Sequence, residues 1–353
     1  MIKKDTAASF YYYDVKRRTK KKEFFRQIDS IINWKKISQI LNKKLNRSHI
    51  DVYGRPCYAP IILFKMMLLQ TWYNLSDEGV EEMVNDTLSA NEFCDLKVED
   101  RVPDHSTLSR FRKELTELNL MDQLLNKINI QLKKHQVIVN YGSAIVDATI
   151  TESPWKDRIP TYRISEDRED EEKEEKEKPI LKMERIRRKG SDGEGKWLKK
   201  GKKTYYGYKQ HVASDKSGMI LGVHTVPANE YEGKGLDPLL RKIQKTNKIL
   251  EVSTDKGYTS KHNSELLKRL KIKDRLQRKA KINSPLSRWE KKFNKSISKY
   301  RYVIERTFGS CKKWFKGGIA RYKGLLKVHT QHIMQAIAYN LKRSPGIIMS
   351  NCK

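Results

Sequence analysis

The segment Ser143-Ala-Ile-Val-Asp-Ala-Thr-Ile150 constrains this chain more than any other, because it is an apolar run with a carboxylate, Asp147, at its centre. Such a run reads as a buried strand. An unpaired carboxylate inside it costs several kcal/mol, so Asp147 must be paired, hydrogen-bonded, protonated or bound to metal.

Two more carboxylates stand in telling places. The run Ile249-Leu-Glu-Val-Ser-Thr-Asp255 reads as a strand whose last residue meets the turn Lys256-Gly257-Tyr258. Strand ends of this kind are where α/β folds collect functional groups. The third, Glu305, lies in Lys299-Tyr-Arg-Tyr-Val-Ile-Glu-Arg-Thr-Phe-Gly-Ser-Cys-Lys312, which reads as a basic helix. Arg301 (i−4) and Lys312 (i+7) fall about 40° and about 20° from Glu305 around the helix axis, so the three share one face. Ile304, Phe308, Cys311 and Phe315 mark an adjacent face for burial. Such a carboxylate suits a metal ligand working beside phosphates, and it equally suits a surface ion-pair ladder. Singly, each aspartate also suits a structural role. Together, two on strands and one on an Arg/Lys helix, they point to one metal site.

The formal charge of +31 makes a polyanion the expected partner. Codon drift toward lysine is a competing origin of that charge. The distribution argues against drift alone: Glu166 to Glu177 holds nine acids against three bases, so the rest of the chain is more basic than the total. The four cysteines form no Cys-x-x-Cys pair and no zinc-spaced cluster, so free thiols in a reducing cytosol are expected. The apolar run from Ala59 to Leu69 is interrupted by Pro60 and Lys65 and is too short to span a bilayer, and no signal peptide is expected before the basic start. A cytoplasmic, nucleoid-associated protein without membrane contact is the expectation.

Residues 1–140 read as helical and 141–353 as mixed α/β. Phe24, Phe25, Ile28, Ile31 and Ile32 are spaced for an amphipathic helix, and Ile61 to Leu69 is apolar enough to be a core helix. Another helix starts near Pro103, capped by Asp104 or Ser106, with Leu108, Phe111 and Leu115 inward. Arg110 and Arg112 fall outside that stripe and suit either DNA phosphates or a solvated face. Short turns and basic faces fit a helix-turn-helix type module. After the Asp147 strand, a polar insertion at about 152–203 is left without assigned structure. The hairpin Thr204–Ala213 and Met219–Pro227 follows, then helix Leu236–Lys248, the Asp255 strand, helix Ser264–Leu270, a short strand near Ile272–Leu276 and the Glu305 helix. Three antiparallel strands thus feed parallel ones in a mixed sheet.

That strand order with an Asp, Asp, Glu set resembles the RNase H-like nuclease fold. More narrowly, the chain resembles the DDE transposases of bacterial insertion sequences, in particular the IS-five family of the IS-four-like group. Gly54-Arg-Pro56 and Val102-Pro-Asp-His-Ser-Thr-Leu-Ser-Arg-Phe-Arg112 are similar to that family's N-terminal domain. Val146-Asp-Ala-Thr149, Lys199-Lys-Gly-Lys-Lys-Thr-Tyr-Tyr-Gly-Tyr-Lys-Gln-His211, Pro227-Ala-Asn229 and Thr254-Asp-Lys-Gly-Tyr258 are similar to successive blocks of its catalytic domain. The group's Y-x2-R-x3-E-x6-K signature falls on Ser298, Arg301, Glu305 and Lys312, with serine in place of the tyrosine. The acidic run lies outside the family pattern.

The resemblance implies an α/β, RNase H-like catalytic domain (141–353) behind an all-helical domain (1–140) for DNA-end binding and assembly. It implies an enzyme that binds terminal inverted repeats, cuts DNA by two-metal hydrolysis and joins 3′-OH ends to target DNA, as a homodimer on the ends. Two Mg²⁺ or Mn²⁺ ions about 4 Å apart would be held by Asp147 (bridging), Asp255 and Glu305. Arg301 and Lys312 would grip phosphates by the cut, with Arg110, Arg112, Lys199, Lys200, Lys202 and Lys203 as further DNA contacts. The histidines His211, His224, His262, His329 and His332 are not required by such chemistry. A catalytically silent DNA-binding protein of transposase descent and a basic RNA-associated protein are the competing readings.

Overall fold

The computed structural model describes residues 23–45, 57–139, 141–158, 162–166, 181–185, 189–280 and 284–351. The helical region comprises α1 (Glu23–Ile31), α2 (Trp34–Lys44), α3 (Pro60–Tyr73), α4 (Asp77–Asp86), α5 (Leu88–Phe93), α6 (His105–Glu117) and α7 (Met121–Lys134). In α1, Phe25, Ile28 and Ile31 are buried as their spacing requires. Pro60 opens α3 at the first turn, where its missing N–H costs nothing. Burial runs around nearly all of α3 and includes Lys65, which is 1% exposed. Lys65 reaches the Asp95 carboxylate at 2.8 Å and lies against the Trp34 and Phe93 rings. A lysine that reads as a break in an apolar run is thus part of the core, because its charge finds a partner and two aromatic faces. Asp104 caps α6 by accepting the Thr107 N–H at 2.7 Å, and Ser106 donates to that same carboxylate.

The sheet follows. Strand β1 (Tyr141–Glu152) is central, antiparallel to β5 (Lys203–Ser214) and parallel to β7 (Lys248–Thr254). Strand β6 (Ile220–Pro227) pairs antiparallel with β5, and β8 (Lys273–Leu276) parallel with β7. The core order β6-β5-β1-β7-β8 is the RNase H-like arrangement expected from the sequence. Helices α8 (Leu236–Gln244) and α9 (Lys261–Arg269) make the crossovers that parallel strands require. The 152–203 region holds more structure than its polarity suggests: β2 (Tyr162–Glu166) pairs with β3 (Leu181–Arg185), and β4 (Lys196–Lys200) with β5. Trp197 and Tyr206, partners in that register, bring their rings to 5.0 Å. The acidic run beyond Glu166 lies outside the described residues.

Two long helices complete the molecule: α10 (Arg288–Phe315), opened by a Ser287/Glu290 capping box, and α11 (Leu325–Asn351), for which the sequence reading had no element. Helix α11 is buried on several sides and packs against β6, α3 and α7. Its Asn340 accepts the Ile220 N–H at 2.9 Å and donates to the Ile220 carbonyl and to Asn129 of α7. The Trp72 indole of α3 donates to the Ala338 carbonyl at 2.9 Å. Helical region and sheet therefore share one hydrophobic core through α11. Among the described residues, no helix is long and apolar enough to cross a membrane.

Phe64 on α3 is fully buried in that core, whereas Leu326 at the start of α11 is 55% exposed. Phe64→Ala is expected to lower unfolding free energy by roughly 3–5 kcal/mol in a denaturant titration. Leu326→Ala should stay within about 0.5 kcal/mol of the parent.

Candidate active site

Asp147 sits in mid-β1, opposite Val212 of β5 and one residue past the Val146–Thr254 pair with β7. Its side chain is 12% exposed. Oδ1 accepts the Ala148 N–H at 2.8 Å, and Oδ2 lies 3.4 Å from Nη2 of Arg301. Burial pushes the Asp147 carboxyl up to about 6. The Asp255 charge adds to that rise, while the Ala148 N–H and Arg301 pull the other way.

Asp255 follows β7 and caps the short turn Lys256–Tyr258 by accepting the Gly257 N–H at 2.9 Å. Glu305 lies on α10, and the same Nη2 of Arg301 that meets Asp147 is 3.3 Å from Glu305 Oε1. Strand and helix, 154 positions apart in the chain, are thus joined by one guanidinium. The helix is held in that register by its other face: Ile304 and Phe315 are buried, with Phe308 and Cys311 packed against the core. Both sequence readings of the Arg301–Glu305 spacing therefore meet, since an i,i+4 pair forms and its arginine also reaches the buried strand.

Beside these groups opens a groove of about 340 Å³ lined by Asp255, Lys256, Gln277, Asn294, Lys295, Ser298 and Arg301. Ser298, at the signature's tyrosine position, takes a hydrogen bond from Gln277 Nε2 at 2.8 Å and donates to the Asn294 carbonyl. Tyr300 lies apart, under Lys216 and Arg275. Lys312 is exposed, and its side chain runs beside Gly318, whose carbonyl accepts from Glu152 at the end of β1.

The expected outer DNA contacts divide sharply. Lys199, Lys200, Lys202 and Lys203 are all exposed at the tip of the β4–β5 hairpin, where Gly201 takes a positive φ of 62°. Arg110 is exposed on α6, its guanidinium bonded to Ser106. Arg112 corrects the sequence reading: it is buried, paired with Asp77 at 2.5 Å, bonded to Gln70 and covered by the Tyr322 ring. The helical stripe misplaced it because a paired arginine can face inward as a leucine would. Of the histidines, His211, His329 and His332 are engaged in hydrogen bonds within the fold. His332, fully buried and pushed down to about 3 by burial, bridges Thr151 of β1 and Thr225 of β6 at 2.9 and 2.8 Å.

Oxygen-only donors of this kind fit a hard divalent cation. Asp147 and Asp255 are the pair best suited to one, because each charge opposes the other and burial opposes the first. Among the described residues, no three acidic, histidine or cysteine side chains converge tightly enough to form a finished metal cluster. Arg301 stands between Asp147 and Glu305 in their place. The residues that sequence reasoning missed are Gln277, Asn294, Lys295 and Glu232, the last of which lies beside Asp255. Glu232 carries a legible signal, being an acid just past the end of β6, as Asp255 is past the end of β7.

The chain matches the family model for the transposase DDE domain over residues 145–341, and a transposase domain model (DUF772) over residues 13–114. It is 33% identical over 236 residues to the transposase for insertion sequence element IS1106 of Neisseria meningitidis serogroup B, covering 67% of this chain and 76% of that protein. Among solved structures, the Mos1 strand transfer complex aligns over 91% of this chain and 88% of that one, at 10% identity and a TM-score of 0.23. A pre-cleavage Mos1 transpososome aligns at 10% identity and a TM-score of 0.21, over 88% of this chain and 86% of that one. At those scores the structural likeness carries no argument of its own.

Burial makes the Asp147 charge a destabilising one. The folded state holds its proton up to about pH 6, whereas an unfolded aspartate loses it near pH 4. Between these values the folded state binds the extra proton, so stability falls as pH rises. In urea titrations with EDTA, the stability of the parent relative to Asp147→Asn should drop by roughly 3 kcal/mol from pH 3.5 to 7. A flat difference would show that Asp147 is not held in a desolvating site.

Proposed function

Because the chain belongs to the DDE transposases of bacterial insertion sequences, we propose that it cuts the ends of its own element and joins the freed 3′-OH to target DNA, with Asp147, Asp255 and Glu305 as its catalytic carboxylates. The observation that carries this reading is the single Arg301 guanidinium bridging Asp147 and Glu305 beside Asp255. Two divalent ions, Mg²⁺ or Mn²⁺, would supply activation of the attacking water or 3′-OH and relief of charge on the leaving oxygen. Asp147 on β1 and Asp255 just past the end of the neighbouring β7 would hold the first cation. Glu305, 58% exposed on its helix, is free to turn toward the site once Arg301 is drawn to a phosphate. Arg301 and Lys312 then neutralise DNA phosphates on either side of the cut. The groove beside Asp255 receives the strand, with Lys256 and Lys295 as further cations and with Gln277, Asn294 and Ser298 as neutral hydrogen-bonding groups.

The partners in this reading are the terminal inverted repeats and target DNA, bound by a homodimer formed on the ends. The domain division falls near residue 140, with the helical part serving end binding and assembly. The lysines of the β4–β5 tip contact backbone phosphates, which position the DNA without reading its sequence. A silent protein of transposase descent would bind the same ends without nicking them.

With terminal-repeat DNA, nicking should require Mg²⁺ or Mn²⁺. Asp255→Asn and Glu305→Gln should each lower its rate by orders of magnitude while end binding by gel shift changes little. Near-parental nicking by either variant would remove that residue from the assignment. End binding should also weaken steeply with salt. Replacing Lys199, Lys200, Lys202 and Lys203 by alanine should reduce that salt slope by up to about four counterions' worth, close to one per lost phosphate contact. Arg112→Ala should leave the slope alone and lower stability, because it strands Asp77 at a buried junction.

A further inference from the structure

Glu232 lies at the start of a short 3₁₀ turn (Glu232–Gly235), far from Asp255 in sequence but packed against the turn that carries it. A Cβ added at Gly257 would overlap Glu232 Oε2 and lie 3.1 Å from Asp255 Oδ1. The two carboxylates therefore meet across the one residue whose lack of a side chain lets them approach. Asn263, 1% exposed, ties the turns together by donating to the Gly233 carbonyl at 3.0 Å and to the Tyr258 carbonyl at 2.7 Å. Behind Glu232 stands Lys209, whose side chain is 5% exposed; its Nζ is 3.9 Å from Glu232 Oε1 and donates to the Glu230 carbonyl at 2.6 Å. Burial holds the Tyr258 phenol well above its ordinary range, and the charges of Asp147, Glu232 and Asp255 add to that rise.

We infer that Glu232 is a fourth carboxylate of this centre, a positioning residue that fixes the Asp255 turn and adds the negative charge that tightens the Asp147–Asp255 pair on a divalent cation. The inference rests on the cation site proposed above. Lys209 anchors Glu232 from the protein side and leaves its other oxygen at Gly257, next to Asp255. A spectator ion pair on the surface would need neither a buried lysine nor a glycine at the point of contact.

The test is a Mn²⁺ titration of the full-length protein without DNA, read as the rise in Tm over an EDTA control. The parent should show a saturable rise, and Asp255→Asn should lose it. Glu232→Gln should keep the rise but move its midpoint to roughly tenfold more Mn²⁺, since one nearby unit charge acting on a divalent ion is worth about that factor. Glu232→Asp, which keeps the charge, should recover most of the shift. Gly257→Ala offers a second route that leaves Glu232 in place: the new Cβ displaces the carboxylate, and the midpoint should again move upward. A parental midpoint in Glu232→Gln, with Asp255→Asn inert, would overturn the role of Glu232 alone. An unchanged rise in Asp255→Asn would overturn the cation site itself, and this inference with it.

Discussion

Desolvation of a carboxylate in the central strand is the constraint to which much of the sheet and its covering helix answer. Asp147 is largely withdrawn from water, so most of its charge must be met within the protein. The Ala148 N–H meets one oxygen and Arg301 the other, and the carboxyl still stays well above its ordinary range. Compensation is thus incomplete in the protein alone. An incompletely compensated acid beside a second acid is the electrostatic signature expected of a cation site. Its cost is borne by the surrounding packing of β1, β5, β7 and α10.

That packing depends on α11. The helix fills the space between the sheet and the helical region, and it buries polar residues such as Gln331, His332, Gln335 and Asn340 along with its apolar ones. Thr151, His332, Thr225 and His329 form a continuous hydrogen-bonded chain that ends on Lys242 and Asp122. It links β1, β6, α8, α7 and α11, so a displacement of any one would leave buried polar atoms unpaired. His332 is neutral by burial and serves as a two-ended hydrogen-bonding strut. The end of β1 is further clamped by Glu152, which exchanges backbone hydrogen bonds with Gly318 and Ala320 after α10. The C-terminal end of the strand bearing Asp147 is therefore tied to the chain that follows the helix bearing Glu305.

The excess positive charge is not spread evenly in function. Lys65 and Arg112 are inside, each held by an aspartate, and contribute to folding. The lysines of the β4–β5 tip are outside, and among the described residues no carboxylate pairs with them as Asp95 and Asp77 pair with Lys65 and Arg112. Arg301 is intermediate, paired with two carboxylates while still lining the groove. Net charge alone predicts a polyanion partner but cannot rank these cations, because the ranking follows burial and pairing.

What the sequence determined by itself was local: where most of the strands and helices lie, and which carboxylates stand in costly or exposed-end positions. The apolar run around Asp147, the Asp255 strand end and the Ile304–Phe315 stripe each announce their structure through short-range patterning. The mixed sheet, with an antiparallel start feeding parallel strands, followed from the succession of elements, since a hairpin and right-handed crossovers leave few arrangements. Only the tertiary structure decided what depends on distant partners. It turned Arg112 inward because Asp77 and Tyr322 were waiting there. It made a buried spine of α11, whose mixed polar and apolar surface gives no clean stripe. It also set Glu232 against Asp255 through Gly257 and Asn263, a meeting between two turns that no periodicity records, because the glycine's role is visible only once the second turn is in place.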